Sequence, residues 1–272
     1  MNNLVIKHRD IIPADTRKII SKRYHQVTKA INKEFWKITN DTKNSLYVGS
    51  YGRGTAINTS DLDILVCLPE SEYNRHDSMK GNGQSRLLQS VKNVILTSYP
   101  RSDVRADGQI IKINFSDGIK FEILPAFKEL DEYDNWKDTY KYPDSNMGGR
   151  WKSTNPKAEQ NAMKNKNRAS NGLLFDTCKH IRSIRDNYFS SYHLSGIVID
   201  SFVYEAIGDW TWGKSEVNSV PSPPGAFEQS LLTYYNEYSS QKNSINAPGS
   251  NDTVLIETSM DCLQKVLNYI VK

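Results

Sequence analysis

Cysteine is scarce in this 272-residue chain: Cys67, Cys178 and Cys262 lie far apart, are odd in number, and show no paired metal-ligand spacing. A disulfide framework is excluded on that pattern, a zinc ribbon is disfavoured, and a reducing cytoplasm is the expected compartment. Long apolar runs are missing as well. None approaches the roughly 20 residues that cross a bilayer, and the first ten residues, MNNLVIKHRD, hold no apolar signal core. The chain is therefore expected to avoid membranes. It also lacks internal repeats, and its net charge is only +4. What it does have, 38% hydrophobic and 24% charged residues, is the balance of a globular protein with one or two closely packed domains.

The most informative stretch is Leu46–Leu68, LYVGSYGRGTAINTSDLDILVCL. An apolar run at Leu46–Val48 stops at Gly49-Ser50, and a second run, Ile64–Leu68, follows turn-prone Asn58, Thr59 and Ser60. That reads as strand, glycine turn, short helical turn, strand. Gly49 lets backbone approach a ligand, and the Ser50 hydroxyl with the turn's N–H groups suits a triphosphate. Asp61 and Asp63 are two apart, so a strand puts both carboxylates on one face and turns Leu62 and Ile64 to the other. Like charges that close call for a cation, and oxygen-only ligands suit Mg2+ or Mn2+.

A two-metal site needs a third carboxylate. Ile110–Phe115, the turn Ser116–Gly118 and Ile119–Leu124 read as a hairpin, with Glu122 between Phe121 and Ile123 and with Pro125 ending the run. Glu122, flanked by apolar neighbours, needs a partner there, and a metal shared with Asp61 and Asp63 would be one.

Around this core, Ile20, Tyr24, Val27, Ile31 and Phe35 form a helical stripe from about Asp15 to Trp36, capped by Asp15 or Thr16. Glu70–Ser85 reads as a polar loop with His76 exposed to solvent, and Leu87–Ser98 as a helix. The resulting order of strands and helices describes a small mixed sheet within an α+β fold. Phe127–Asn155 is aromatic and polar; its Trp and Tyr residues suit base stacking, although packing is their commoner use. Helices are then expected at Pro156–Arg168, over Leu173–Ile184, from Ser195-Gly196 onward, over Phe227–Tyr238, and finally over Thr253–Val271. Gly213–Gly225 and Ser239–Asp252 read as loops. Asp200, inside LSGIVIDSFVYEAI, has a structural rather than a catalytic reading.

GSYGRGT, then SDLDILV, then FEILPAF resembles the signature of the DNA polymerase β nucleotidyltransferase superfamily. Within it the chain resembles the bacterial cGAS/DncV-like nucleotidyltransferases (CD-NTases) of CBASS antiphage systems. RWKSTNP, LSGIVIDSFVYEAIGDW and APGSND extend the likeness along nearly the whole chain. The third acid is commonly Asp in that family and is Glu122 here. The resemblance implies a polymerase β-like core with a brace helix at 1–150 and a helical lobe completing the nucleotide cleft at 151–272. It implies Asp61, Asp63 and Glu122 as catalytic residues holding two Mg2+ or Mn2+ ions. It also implies Gly49, Ser50, Lys179 and Ser195 as triphosphate contacts, with Ser191 a rival register for Ser195. ATP, GTP or other nucleoside triphosphates would be joined into a cyclic di- or oligonucleotide, a cGAMP-like second messenger in antiphage defence, sensed by a separate effector protein.

The N-terminal helix is rich in Lys and Arg. In relatives such as cyclic GMP-AMP synthase that side binds duplex nucleic acid, which singles out Lys18, Lys22 and Lys29 for contact with activating RNA or DNA; the plainer reading is a solvated face. Two other functions stay open: a nucleotidyltransferase acting on a small molecule, tRNA or protein, and a catalytically silent nucleotide- or nucleic-acid-binding module.

Overall fold

The computed structural model describes residues 3–59, 61–213, 223–239 and 241–272. Ser60 and most of the Gly213–Gly225 stretch, read above as turn and loop, lie outside the described residues. The chain divides into two compact units, Ile12–Gly52 with Ser60–Pro156, and Met1–Ile11 with Arg53–Thr59 and Lys157–Lys272. The units interleave in sequence.

In the first of these units the predicted apolar stripe forms α1 (Ala14–Ile31), which begins directly after Pro13 with Asp15 in its first turn. No side chain caps it, contrary to the expectation for Asp15 or Thr16; Pro13 supplies only its carbonyl, to the Arg17 N–H. A π turn over Asn32–Trp36 continues it and ends at Lys37, which adopts a left-handed conformation. Then come β1 (Ser45–Tyr47), α2 (Gly49–Arg53), β2 (Leu62–Cys67), α3 (Glu70–Asp77), α4 (Gly83–Ser98), β3 (Asp103–Asp107), β4 (Ile110–Asn114), β5 (Lys120–Leu130), β6 (Trp136–Asp144) and β7 (Arg150–Thr154). The mixed sheet has the order β1-β2-β5-β4-β3. Its β2–β5 pair is parallel, and β6 and β7 extend from the far end of β5. Ile20, Tyr24, Val27 and Ile31 of α1 join Leu87, Leu88, Val91 and Ile95 of α4 over Leu62, Ile64, Phe121 and Ile123 in one buried cluster.

Two expectations fail in this unit for physical reasons. Pro125 does not end the strand. The β4 pairing stops at Ile123 and the β6 pairing starts at Phe127, so Pro125 lies in the gap between them. Because Ala126 turns its carbonyl toward β2, to accept from Leu68, the missing N–H of Pro125 points into that gap and no ladder bond is lost. The second failure is Glu70–Ser85. Its first half is α3, with Glu70 and Glu72 in the first turn and Arg75 and His76 in the last, the order the helix dipole favours. His76 is only 1% exposed, its Nδ1 bonded to the Glu72 carbonyl, and burial lowers its pKa. The aromatics of the following stretch pack on this helix: Tyr73, Phe127 and Trp151 meet one another edge-to-face or tilted, and the Trp151 indole donates to Asp77.

The other unit holds α5 (Pro156–Ala169), α6 (Leu173–Tyr188), α7 (Gly196–Ala206), α8 (Ala226–Tyr234), a short hairpin of β8 (Ser244–Asn246) and β9 (Thr253–Leu255), and α9 (Met260–Ile270). Its core gathers Leu174, Cys178 and Ile181 of α6, Val198, Phe202 and Val203 of α7, and Leu263, Val266 and Leu267 of α9. The single expected helix over Thr253–Val271 is corrected: the apolar stripe starts at Met260, and β-branched Thr253 and Val254 pair with Asn246 and Ile245 instead. Among the described residues no helix is long and apolar enough to cross a membrane.

The N-terminal segment is strapped to this unit. The Val5 N–H donates to Glu228, the His8 N–H to Asp176, and the Asn3 side chain to the Tyr269 carbonyl. His180 Nε2 meets the Asn3 carbonyl at 2.9 Å and its Nδ1 meets His8 Nε2 at 3.1 Å. The carbonyl forces the proton onto Nε2 of His180, so Nδ1 accepts and His8 donates. His180 must be neutral for this arrangement, whereas His8 donates whether neutral or charged. Burial lowers both pKa values, His180 and Lys179 lower that of His8 further, and Asp176 and Glu228 act in the opposite sense. With folded pKa values below 6.5, the unfolded chain binds more protons as pH falls, so this contribution is full above 6.5 and is lost on acidification. Thermal unfolding from pH 7.5 to 5 should show a falling Tm, with a shallower slope for His8→Phe; identical slopes would remove the pair as the cause.

Candidate active site

The glycine turn forms as its sequence demands. Val48 N–H donates to the Asp63 carbonyl at 2.9 Å, which pins the end of β1 to the start of β2, and Gly49 follows at φ +56°. A Cβ at residue 49 would overlap the Asp63 carboxylate, so only glycine permits both the turn and that close approach. Ser50 is the next residue, half-buried in α2.

Asp61 is exposed just ahead of β2, and Asp63 is half-buried within it. In the parallel ladder Asp63 stands directly beside Glu122. Their strand neighbours Leu62, Ile64, Phe121 and Ile123 are all buried on the opposite face, so Asp63 and Glu122 share the outer one. Burial raises the Glu122 pKa; Lys112 opposes that, and the charges of Asp61 and Asp107 add to it. The register thus assembles negative charge at the head of two adjacent strands. Among the described residues, however, no three His, Cys, Asp or Glu side chains gather closely enough to hold an ion. The donor chemistry fits Mg2+ or Mn2+, three oxygen ligands beside an excess of negative charge, while the carboxylates do not converge on one point.

Sequence reasoning missed Lys112. It pairs with Glu122 across the β4–β5 ladder, its Nζ 3.9 Å from Glu122 Oε1 and 2.7 Å from Asp107 Oδ2. Its place in IIKINF, alternating with buried Ile111 and Ile113, puts it on the outer face, which is the signal that was there to read.

The remaining proposed contacts belong to the helical unit. Lys179 is half-buried on α6, and its pKa is lowered by burial against the pull of Asp176. Ser195 caps α7, accepting from the Val198 N–H, and its own N–H donates to Ser259. Ser191 is exposed in the preceding turn. Behind these residues lies a buried ion cluster. Asp200 accepts from Arg182 at 2.6 Å, Arg53 at 2.8 Å and Thr55 at 2.9 Å; Arg53 also pairs with Glu159 at 2.7 Å, and Arg182 donates to the Gly196 carbonyl at 2.8 Å. Asp200 therefore has the structural role its sequence context gave it. On α1, Lys18, Lys22 and Lys29 are exposed. They fall within about 40° of one another around the helix and opposite the buried stripe.

A sequence profile of the second messenger oligonucleotide or dinucleotide synthetase (SMODS) domain matches residues 7–167. The chain belongs to this family. It is therefore a nucleotidyltransferase, of the class that makes cyclic di- and oligonucleotides. No curated protein matches it significantly by sequence. Solved structures share the fold. The Elizabethkingia meningoseptica CdnE cyclic dinucleotide synthase, solved with GTP and Apcpp, is 12% identical, with a TM-score of 0.63 over 91% of this chain and 89% of its own. Escherichia coli MS115-1 CdnC with ATP is 13% identical, with a TM-score of 0.60 over 94% and 84%. Vibrio cholerae DncV, a cyclic AMP-GMP synthase described as a prokaryotic cGAS homolog, is 12% identical, with a TM-score of 0.57 over 95% and 75%. SMODS members such as this one thus carry the polymerase β-like nucleotidyltransferase fold expected from GSYGRGT and SDLDILV.

Proposed function

We propose that this protein joins nucleoside triphosphates, ATP and GTP among them, into a cyclic di- or oligonucleotide that a separate effector reads in antiphage defence. The observation that carries the reading is the ladder pairing of Asp63 with Glu122 beside the Gly49-Ser50 turn, in a chain of the SMODS family. Asp61, Asp63 and Glu122 would hold two Mg2+ or Mn2+ ions. Bound there, the cations would lower the pKa of an acceptor ribose hydroxyl and offset charge on the leaving pyrophosphate. The chain's residues supply the rest. Gly49 and Ser50 would seat the triphosphate; Lys179, as a compact ammonium, and Ser195, as a hydroxyl, are the phosphate contacts that the family resemblance implies. One of the three acids would take the hydroxyl proton as the oxygen attacks the α-phosphate. Repetition on the linear product would close the ring.

Labelled ATP, GTP, CTP and UTP, alone and mixed, with Mn2+ and then a nuclease specific for 3′-5′ bonds, test this. A nuclease- or phosphatase-resistant product with pyrophosphate release is expected. Linear or acceptor-bound product would favour modification of another molecule; binding without pyrophosphate would favour a silent module. Duplex RNA or DNA added to the same assay tests the lysine stripe Lys18, Lys22 and Lys29 as an activating surface.

A further inference from the structure

The outer face of the sheet carries a row of charges in register: Lys112 on β4, Glu122 on β5, Asp63 on β2. Lys112 lies within reach of two carboxylates that differ in position and in use. One is Glu122 at 3.9 Å; the other is Asp107 at 2.7 Å, five residues back across the β3–β4 hairpin tip and outside the proposed donor set. A lysine needed only for the hairpin would have no reason to face the metal ligands, and one needed only to neutralise Glu122 would not be drawn toward Asp107. We propose that Lys112 is a built-in counter-cation that competes with divalent metal for the carboxylates of the site, and that Asp107 is the rest position holding it aside. This rests on the metal-dependent reading of Asp61, Asp63 and Glu122 given above.

The physics is a competition among charges. With no divalent cation present, the ammonium offsets the repulsion among Asp61, Asp63 and Glu122. It stays charged in this setting, its pKa raised first by the hydrogen bond with Asp107, then, against desolvation, by the charges of Asp107, Glu122 and Asp61. When Mg2+ or Mn2+ arrives, an ammonium about 4 Å from a ligand oxygen repels it, and the 2.7 Å contact with Asp107 limits that repulsion by keeping Lys112 off Glu122. Lysine suits the task because its flexible stem swings a point charge between two acceptors without backbone movement. The two partners on Lys112 therefore set metal affinity in opposite directions.

The test reads Mn2+ affinity directly, from the electron paramagnetic resonance of free Mn2+ titrated with full-length protein in the absence of nucleotide. Lys112→Met should tighten binding about five- to tenfold, the effect of removing a unit charge at that distance in solvent-exposed surroundings. Asp107→Asn should weaken it about threefold, because Lys112 then rests on Glu122 alone. The double variant should lie close to Lys112→Met and slightly weaker, since Asp107 acts mainly through the lysine and its own charge also reaches Glu122. Unchanged affinity in Lys112→Met, or shifts of the same sign in both single variants, overturns the proposal. Asp63→Asn separates it from the parent reading. If that variant loses Mn2+ while Lys112→Met binds as wild type does, only the counter-cation role fails; if wild type and Asp63→Asn bind alike, the metal site itself fails and the proposal with it.

Discussion

Asp63→Asn will leave a folded protein that makes no detectable cyclic product, a loss on the order of 10³-fold or more in turnover. The change is close to isosteric and the residue is half-buried rather than in the core, so cavity and packing terms are small. Stability should hold or rise slightly, because one of three neighbouring carboxylates is neutralised. The catalytic loss has a different origin: the carboxamide offers only one neutral oxygen, a poor ligand for a hard divalent cation. Measuring Tm and pyrophosphate release on the same preparation separates the two effects. Synthesis within tenfold of wild type, with Tm unchanged, would remove Asp63 from the reaction and leave the ladder with Glu122 a structural coincidence.

The parts of this site legible in the sequence are those that local rules determine. Alternation along β2 placed Asp61 and Asp63 opposite Leu62 and Ile64, and the break after Val48 placed Gly49 where only glycine avoids the Asp63 carboxylate. Glu122 was found as a carboxylate between buried neighbours, but that it lies beside Asp63 is a matter of register between strands almost sixty residues apart, which no local pattern encodes. Lys112 was missed for the same reason, since its partners sit on a different strand and across a hairpin. Local rules also misread ESEYNRHD as loop. Its polarity hides a helix that is held by Tyr73 against Phe127 and Trp151 and by buried His76, contacts supplied by the tertiary fold. Pro125 was read by its missing donor, and the fold pairs that position with Val66 of β2 while leaving open the side its N–H would have faced.

Asp200→Ala carries the largest expected stability effect. Asp200 is fully buried: burial alone would raise its pKa, yet the Arg182 and Arg53 charges hold it below the ordinary carboxylate range. Removing it takes the shared carboxylate from two almost wholly buried guanidinium groups, leaving Arg53 to Glu159 and Arg182 to backbone carbonyls, at a cost of about 3–5 kcal/mol. In a chain of this size that is a fall in Tm of roughly 10 °C. Asp200→Asn, which keeps the shape and one acceptor, should fall between. The damage should also reach function through Arg182, whose second nitrogen holds the Gly196 carbonyl at the start of α7, one residue from Ser195. Below its lowered Tm, the variant should therefore show a raised KM for nucleotide with a smaller change in kcat. A buried ion cluster is not by itself a source of stability, because apolar replacements of equal volume can match it. Its value here is directional: one carboxylate ties α6, α7 and the Arg53–Thr55 segment together by accepting three hydrogen bonds of set geometry. If Asp200→Ala unfolds within 2 °C of wild type, the cluster is not what orders the start of α7, and Ser195 must be held by its bond to Ser259 instead.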